Sequence, residues 1–191
     1  MLSENRFVIF NGSPKAGGNT DFLIDRFTTF LGERDVVKFV LREMNISPCR
    51  GCEMCSISGR CVIKDDMYDI YKKIENCKFF LFFSPIFFGG VTSTLKSVID
   101  RCQPFWARKN ILGKKFENNN RRGLIALIGA TSFLKGYECA ALTVKWLFNV
   151  IDVAENRTLY YMNIERHSDF LNYNIDNDIY KTIEFFGESE E

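Results

Sequence analysis

Histidine is almost missing from this chain: His167 is the only one among 191 residues. A catalytic triad would have to use it, and no nucleophile elbow of the form G-x-S-x-G accompanies it. Serine hydrolase chemistry therefore has no support, and His167 reads as a surface residue. An excess of charge is missing as well, since the formal net charge is +1. No bulk field draws the chain to nucleic acid or to an anionic membrane, and neither is expected as a partner. The longest apolar run, Phe79 to Phe88, is interrupted by Ser84 and Pro85. It falls far short of the ~20 residues that a membrane helix needs. No internal repeat occurs, and only the triple Asn118-Asn119-Asn120 hints at low complexity. No leader is visible ahead of a strand-like stretch, Arg6 to Asn11, so the expected location is cytoplasmic.

What the chain does hold is phenylalanine, with 19 residues, and cysteine, with 7. An odd cysteine count with no sign of export argues against a disulfide framework. Four thiols, Cys49, Cys52, Cys55 and Cys61, crowd into C-R-G-C-E-M-C-S-I-S-G-R-C. Cys77, Cys102 and Cys139 stand singly and read as small core hydrophobes.

Apolar runs alternate with helical spacing along the chain. Arg6 to Asn11 and Val36 to Leu41 read as strands, and Asp21 to Leu31 as a helix between them. Asp65-Asp66-Met67 opens a helix reaching about Asn76, with acidic residues in its first turn. Lys78 to Ser84, nearly all apolar, has the character of a strand buried on both faces. A helix over Thr92 to Arg101 follows. Pro104 to Arg122 is the least ordered-looking stretch. Gly123 to Ile128 is a strand, Tyr137 to Ile151 a helix, Arg157 to Met162 the last strand and Asp176 to Phe186 a terminal helix. This alternation predicts one α/β domain over residues 1–191, of three-layer α/β/α, flavodoxin-like architecture. Its five parallel strands take the order 2-1-3-4-5, with the cysteine loop at 46–64 inserted after strand 2. Ligands in such sheets bind beyond the carboxyl ends of the strands. The loops after strands one, three and four should therefore converge.

The first of these, Gly12-Ser-Pro-Lys-Ala-Gly-Gly-Asn-Thr20, lies between a strand and a helix N-terminus, where unpaired N–H groups favour an anion. Ser13, Asn19 and Thr20 add neutral donors and Lys15 a charge. The loop lacks the G-K-[ST] ending of a nucleotide-hydrolysing loop, and it lacks G-x-G-x-x-G. A cradle for a terminal phosphate monoester remains, such as FMN carries; a plain turn capped by Thr20 is the bland alternative. The second loop, Ser84-Pro-Ile-Phe-Phe-Gly-Gly90, would meet a flat ring at Pro85, Ile86, Phe87, Phe88 and Gly89, with Pro85 fixing the backbone and free N–H groups after it bonding the ring's polar edge. Phe87 or Phe88 would flank that ring, or both would simply be core. The third, with Gly129 and Thr131, would close the pocket.

The cysteine spacing C-x₂-C-x₂-C-x₅-C resembles the ferredoxin-type run. Zinc usually takes two well-separated pairs, so the readings rank as [4Fe–4S] cluster, zinc, then a redox disulfide using two of the thiols. Arg60 and Lys64 would offset cluster charge or simply be solvated. Lys114, Lys115, Arg121 and Arg122 form a basic stretch able to dock an acidic partner, with a solvated loop as the alternative. Trp106 reads as a subunit contact or a core anchor.

Taken together, G-S-P-K-A-G-G-N-T, the four-cysteine run, D-D-M-Y-D-I, S-P-I-F-F-G and L-K-S-V-I-D-R resemble the iron–sulfur flavoproteins, a family of the flavodoxin-like NAD(P)H:FMN reductase superfamily. The resemblance covers about the first three-quarters of the chain. It implies FMN phosphate held by Ser13, Lys15, Asn19 and Thr20, a flavin ring against Pro85 to Gly89, and [4Fe–4S] ligation by Cys49, Cys52, Cys55 and Cys61. It also implies a homodimer or homotetramer; ferredoxin or NAD(P)H is the expected electron donor. Lys15 stands where relatives often carry Arg, and Phe87 where many carry Tyr. The expected function is an electron-transferring oxidoreductase with no side-chain acid or base; the alternative is an NAD(P)H-dependent FMN reductase acting on quinones or nitro compounds, with zinc or no cluster at the cysteine loop. A non-catalytic redox sensor is a third reading.

Overall fold

The computed structural model describes residues 7–31, 36–114, 116 and 120–187. Five parallel strands form one sheet: β1 (Phe7–Asn11), β2 (Val36–Val40), β3 (Phe79–Pro85), β4 (Arg121–Ile128) and β5 (Val153–Tyr161). Their spatial order is β2-β1-β3-β4-β5, the order expected from the alternation of runs. Seven helices connect them among the described residues: α1 (Asn19–Leu31), α2 (Met54–Ser58), α3 (Met67–Asn76), α4 (Ser93–Asp100), α5 (Gln103–Asn110), α6 (Leu134–Val150) and α7 (Ile175–Phe185).

The period of two along each strand sorts the phenylalanines into two cores. Phe7, Ile9, Phe79, Leu81 and Phe83 face α1 and α7. Val8, Phe10, Phe80 and Phe82 face α3, α4 and α6. Every residue from Phe79 to Phe83 is buried, which is why that run shows no polar alternation. Cross-strand rings continue the pattern: Phe10 stacks on Phe82 at 4.4 Å and 8°. Gly123 is required by contact, since a Cβ there would lie 2.4 Å from Cζ of Phe148.

Several expectations need correction. Pro104 to Arg122 is not irregular at its start, because Pro104 stands in the first turn of α5, where its missing N–H costs nothing. β4 begins two residues earlier than Gly123. Arg121 is buried, donating to the carbonyls of Ile151 (3.1 Å) and Glu75 (2.9 Å), with its guanidinium 4.0 Å from the Phe116 ring. Burial pushes its pKa down to about 10. Arg122 donates to the Phe185 carbonyl. Arg121 is therefore not part of an exposed basic patch, while Arg122 is partly exposed and pairs with Glu155 (3.2 Å); Lys115, Asn118 and Asn119 lie outside the described residues. β5 begins at Val153 rather than Arg157; as the edge strand it exposes Ala154, Glu155 and Asn156, which hides its apolar alternation. Cys77 and Cys102 are buried, but Cys139 is exposed on α6 and is not core.

Candidate functional site

Two cavities hold the chemistry that the sequence singles out. The first lies beyond the carboxyl ends of β1, β3 and β4 and has a volume of about 510 Å³. That is within the usual range for a small-molecule site. Ser13, Lys15, Asn19 and Thr20 line it from the first loop, Pro85, Ile86 and Phe87 from the second, and Gly129 from the third. Phe88, Gly89 and Thr131 stand outside its lining.

The first loop is built around Asn11, whose Oδ1 accepts from the Ser13 N–H (3.0 Å) and whose Nδ2 donates to Asp21 (2.5 Å). Ser13 Oγ accepts from the Lys15 N–H, and Gly17, at φ 63°, donates its N–H to Asp21 (2.7 Å). The first α1 bond runs from the Phe22 N–H to the Gly18 carbonyl. The N–H groups preceding it have no partner within the helix. Asp21 would repel a phosphate here, but Arg42 binds it with two bonds of 3.0 and 3.1 Å. Burial pushes the Asp21 carboxyl up, and the bonds from Asn11, Gly17 and Arg42 outweigh that and hold it below 3.8. Neither Asn11 nor Arg42 carries a motif, so only the fold reveals them.

The second loop is a tight turn. The Phe87 N–H donates to the Gly90 carbonyl (3.0 Å) and the Gly90 N–H to that of Phe87 (2.9 Å). The Ile86 N–H is also used, by the Ile128 carbonyl. Among the described residues, the N–H groups of Phe88 and Gly89 meet no protein acceptor. Phe87 and Phe88 are exposed, which rules out the core alternative for both.

A fourth loop joins the cavity unforeseen: Ile164, Glu165, Arg166 and His167 follow β5 and line it too. Asn19 Nδ2 donates to the carbonyls of Ile164 and Glu165 (3.5 and 3.2 Å), tying this loop to the first. His167 is exposed, as expected, but it stacks on Phe22 at 5.0 Å on the rim of the cavity. The one available signal was topological, since every parallel strand ends on this edge.

The second cavity, of about 590 Å³, is lined by Cys49, Cys52, Cys55 and Cys61. Gly51 and Glu53 take left-handed conformations between the first three thiols, and Cys55 sits on the single turn of α2. Gly59 closes that turn and lies against α5, where a Cβ would come within 3.1 Å of Arg108 Cγ. Arg108 Nε donates to the Gly59 carbonyl (2.7 Å). The wall of the thiol cavity is thus α5, the helix that the sequence did not announce. Trp106, on α5, is half-exposed and lines this cavity, so it is not a core anchor. Burial raises the Cys55 pKa, and the charges of Cys61, Cys49 and Cys52 raise it further. Among the described residues, no three Cys, His, Asp or Glu side chains converge as ligands of a single metal ion. No described helix is long and apolar enough to cross a membrane.

Comparison with known proteins adds the family. The family described as NADPH-dependent FMN reductase matches residues 5–161. An iron–sulfur flavoprotein of Methanocaldococcus jannaschii is 33% identical over 128 residues, 66% of this chain and 63% of that one. An iron–sulfur flavoprotein of Archaeoglobus fulgidus is 35% identical over 98 residues, 50% of each chain. The chain thus spans about half to under two-thirds of the length of these relatives. Among solved structures, an FMN-dependent NADH-azoreductase of Bacillus anthracis in complex with FMN has a TM-score of 0.69 at 10% identity, covering 95% of this chain and 99% of that one. An NADH:FMN oxidoreductase in its apo form has a TM-score of 0.65 at 13% identity, covering 98% and 91%. At such identities the likeness establishes the fold alone.

Proposed function

Since this chain belongs to the family described as NADPH-dependent FMN reductases, we propose that it is an iron–sulfur flavoprotein, an FMN-dependent oxidoreductase with a [4Fe–4S] cluster held by Cys49, Cys52, Cys55 and Cys61. Bound FMN would exchange electrons singly or in pairs and the cluster one at a time, which couples a two-electron donor to a one-electron partner. Ser13, Asn19 and Thr20, with the first N–H groups of α1, bind the phosphate, and Lys15 adds a positive charge. Arg42 cancels the Asp21 charge beside them. The Phe88 and Gly89 N–H groups, just outside the cavity's lining, are free to serve the polar edge of a flat ring that reaches them, while Gly129 borders the ring from the third loop.

The observation that carries the cluster is the arrangement of its thiols. A single zinc draws its thiolates to about 2.3 Å from one point. A four-iron cluster takes one thiolate per iron, so its ligands stand around a volume. Four cysteines from one run, C-x₂-C-x₂-C-x₅-C, line one cavity, which supports four-thiolate ligation there. The relatives' names support the same reading. We read residues 1–191 as one domain carrying the cysteine loop at 46–64, cytoplasmic and assembled as a homodimer or homotetramer, with NAD(P)H or ferredoxin as donor.

Anaerobic purification followed by iron, sulfide and flavin analysis tests this. About four irons and one FMN per chain are expected. Colourless protein that takes up no flavin on reconstitution overturns the whole reading. Yellow protein that takes up zinc but no iron leaves the family's reductase activity and removes the cluster.

A further inference from the structure

The neck of the cysteine loop is closed by one buried ion pair. Arg101, at the C-terminal end of α4, is 1% exposed at its side chain and Asp65 3%. Arg101 Nη1 donates to Asp65 Oδ2 (2.7 Å) and to the Ser47 carbonyl (2.7 Å). Its Nη2 donates to Asp65 Oδ1 (3.0 Å) and to the Ile63 carbonyl (3.4 Å). Ser47 lies two residues before Cys49, and Ile63 two residues after Cys61. Asp65 in turn accepts the Ser47 N–H (2.9 Å) and the Met67 N–H (3.2 Å). Tyr71 holds the Arg101 carbonyl through its hydroxyl (2.6 Å). Both ends of the four-thiol loop are thereby fastened to a single guanidinium.

Four of the five guanidinium donors are satisfied by protein; Nε is buried and meets no partner among the described residues. A buried donor left unpaired is costly, and Arg121 Nε shares that state away from the thiol loop. Arg101 also lines the thiol cavity. Desolvation works against its charge, but Asp65, Tyr71 and Cys61 outweigh it and keep the guanidinium protonated. A positive charge therefore borders a cavity where four thiolates would gather negative charge.

We propose that Arg101 is a positioning residue that sets the reduction potential of the cluster: its charge stabilises the reduced, more negative state, while Asp65 tempers that effect. The inference rests on the cluster assigned above. Net charge and hydrogen bonds to sulfur are the usual determinants of such potentials. The step concerned is addition of one electron to the cluster from an external one-electron reductant, with no bond made or broken in the protein.

Potentiometric titration of the anaerobically reconstituted wild type, Arg101→Gln, Arg101→Lys and Asp65→Asn, followed by the spectrum of the reduced cluster, tests it. Arg101→Gln is expected to weaken reduction about tenfold, a fall of about 59 mV for one electron. Arg101→Lys keeps the charge and should stay closer to wild type than Arg101→Gln does. Asp65→Asn removes the tempering charge and should move the potential upward. A merely structural clamp would be damaged alike by all these changes, so shifts of opposite sign are the signature. Potentials that do not move, or that move the same way in Arg101→Gln and Asp65→Asn, overturn the proposal. If Arg101→Gln binds no iron, the sign in Asp65→Asn decides: upward supports the proposal, and no shift or a fall overturns it. A wild type that takes up no iron overturns the cluster reading itself, before any variant is compared.

Discussion

At Phe88 the backbone has φ 49°, and at Gly89 it has φ 71°. Two successive positive values, with Phe87 and Gly90 paired on either side, are the pattern of a type I′ turn. A phenylalanine in the left-handed region costs about 1 kcal/mol or more, and this one is fully exposed and recovers nothing by packing. Phe88→Asn creates the favoured Asn-Gly pair. It should raise the unfolding free energy of the flavin-free protein by about 0.5–1 kcal/mol, read as a higher urea midpoint at unchanged slope. Asp21 bears on pH. Its folded pKa lies below 3.8, so the unfolded state binds more protons as pH falls. Its contribution is complete above about pH 4 and is lost as pH drops through the lowered value. Asp21→Asn should lower stability at neutral pH and flatten the acid limb of the stability curve, measured by denaturant midpoints across that range. The hydroxyls and glycines of the first loop were legible as a cradle because each residue type states its own chemistry. Asn11 and Arg42 were not, because an Asn ending a strand and an Arg after another are ordinary until the chain brings them to Asp21.

At the scale of elements, α4 shows how one residue joins two loops. Thr92 caps it, its Oγ1 accepting the Leu95 N–H at 3.3 Å and donating to the Gly12 carbonyl at 2.6 Å. Gly12 begins the phosphate loop in a crowded place, since a Cβ would lie 3.0 Å from that of Leu95 and 3.1 Å from the Phe83 carbonyl. Thr92→Ala removes the cap and the shorter of two hydroxyl bonds to the Gly12 carbonyl, Thr94 Oγ1 at 3.3 Å being the other. It should cost about 1–2 kcal/mol in chemical denaturation and weaken flavin retention in parallel. The start of this helix was legible, because capping residues and apolar spacing are local. α5 was not, because its exposed Trp106 and its Arg108 and Lys109 blur any apolar stripe. Its reason for being helical lies in contact: Arg108 reaches Gly59 and, by a short ion pair, Glu75.

For the molecule as a whole, the open edge at the carboxyl ends of the strands is where loops converge without a core of their own. Flavin binding should therefore stabilise the entire cooperative unit. FMN at a hundred times its Kd is expected to add about 2.7 kcal/mol, seen as a Tm that climbs with the logarithm of FMN concentration. Hydrogen exchange should slow at residues 13–20, 85–90, 129–132 and 164–167, and barely change in β1 and β3. The sheet itself could be read before folding. Runs such as Phe79–Phe83 report burial on both faces, and their alternation with helical spacing leaves few arrangements of five strands; both signals are local and repeat along the chain. The contacts that make sites of the loops are of another kind. Arg101 meets Asp65 across 36 positions, and Asn19 meets Glu165 across 146. Pairs so distant leave no periodic trace, so the neck of the thiol loop and the fourth wall of the flavin cavity appear only once the chain has closed on itself.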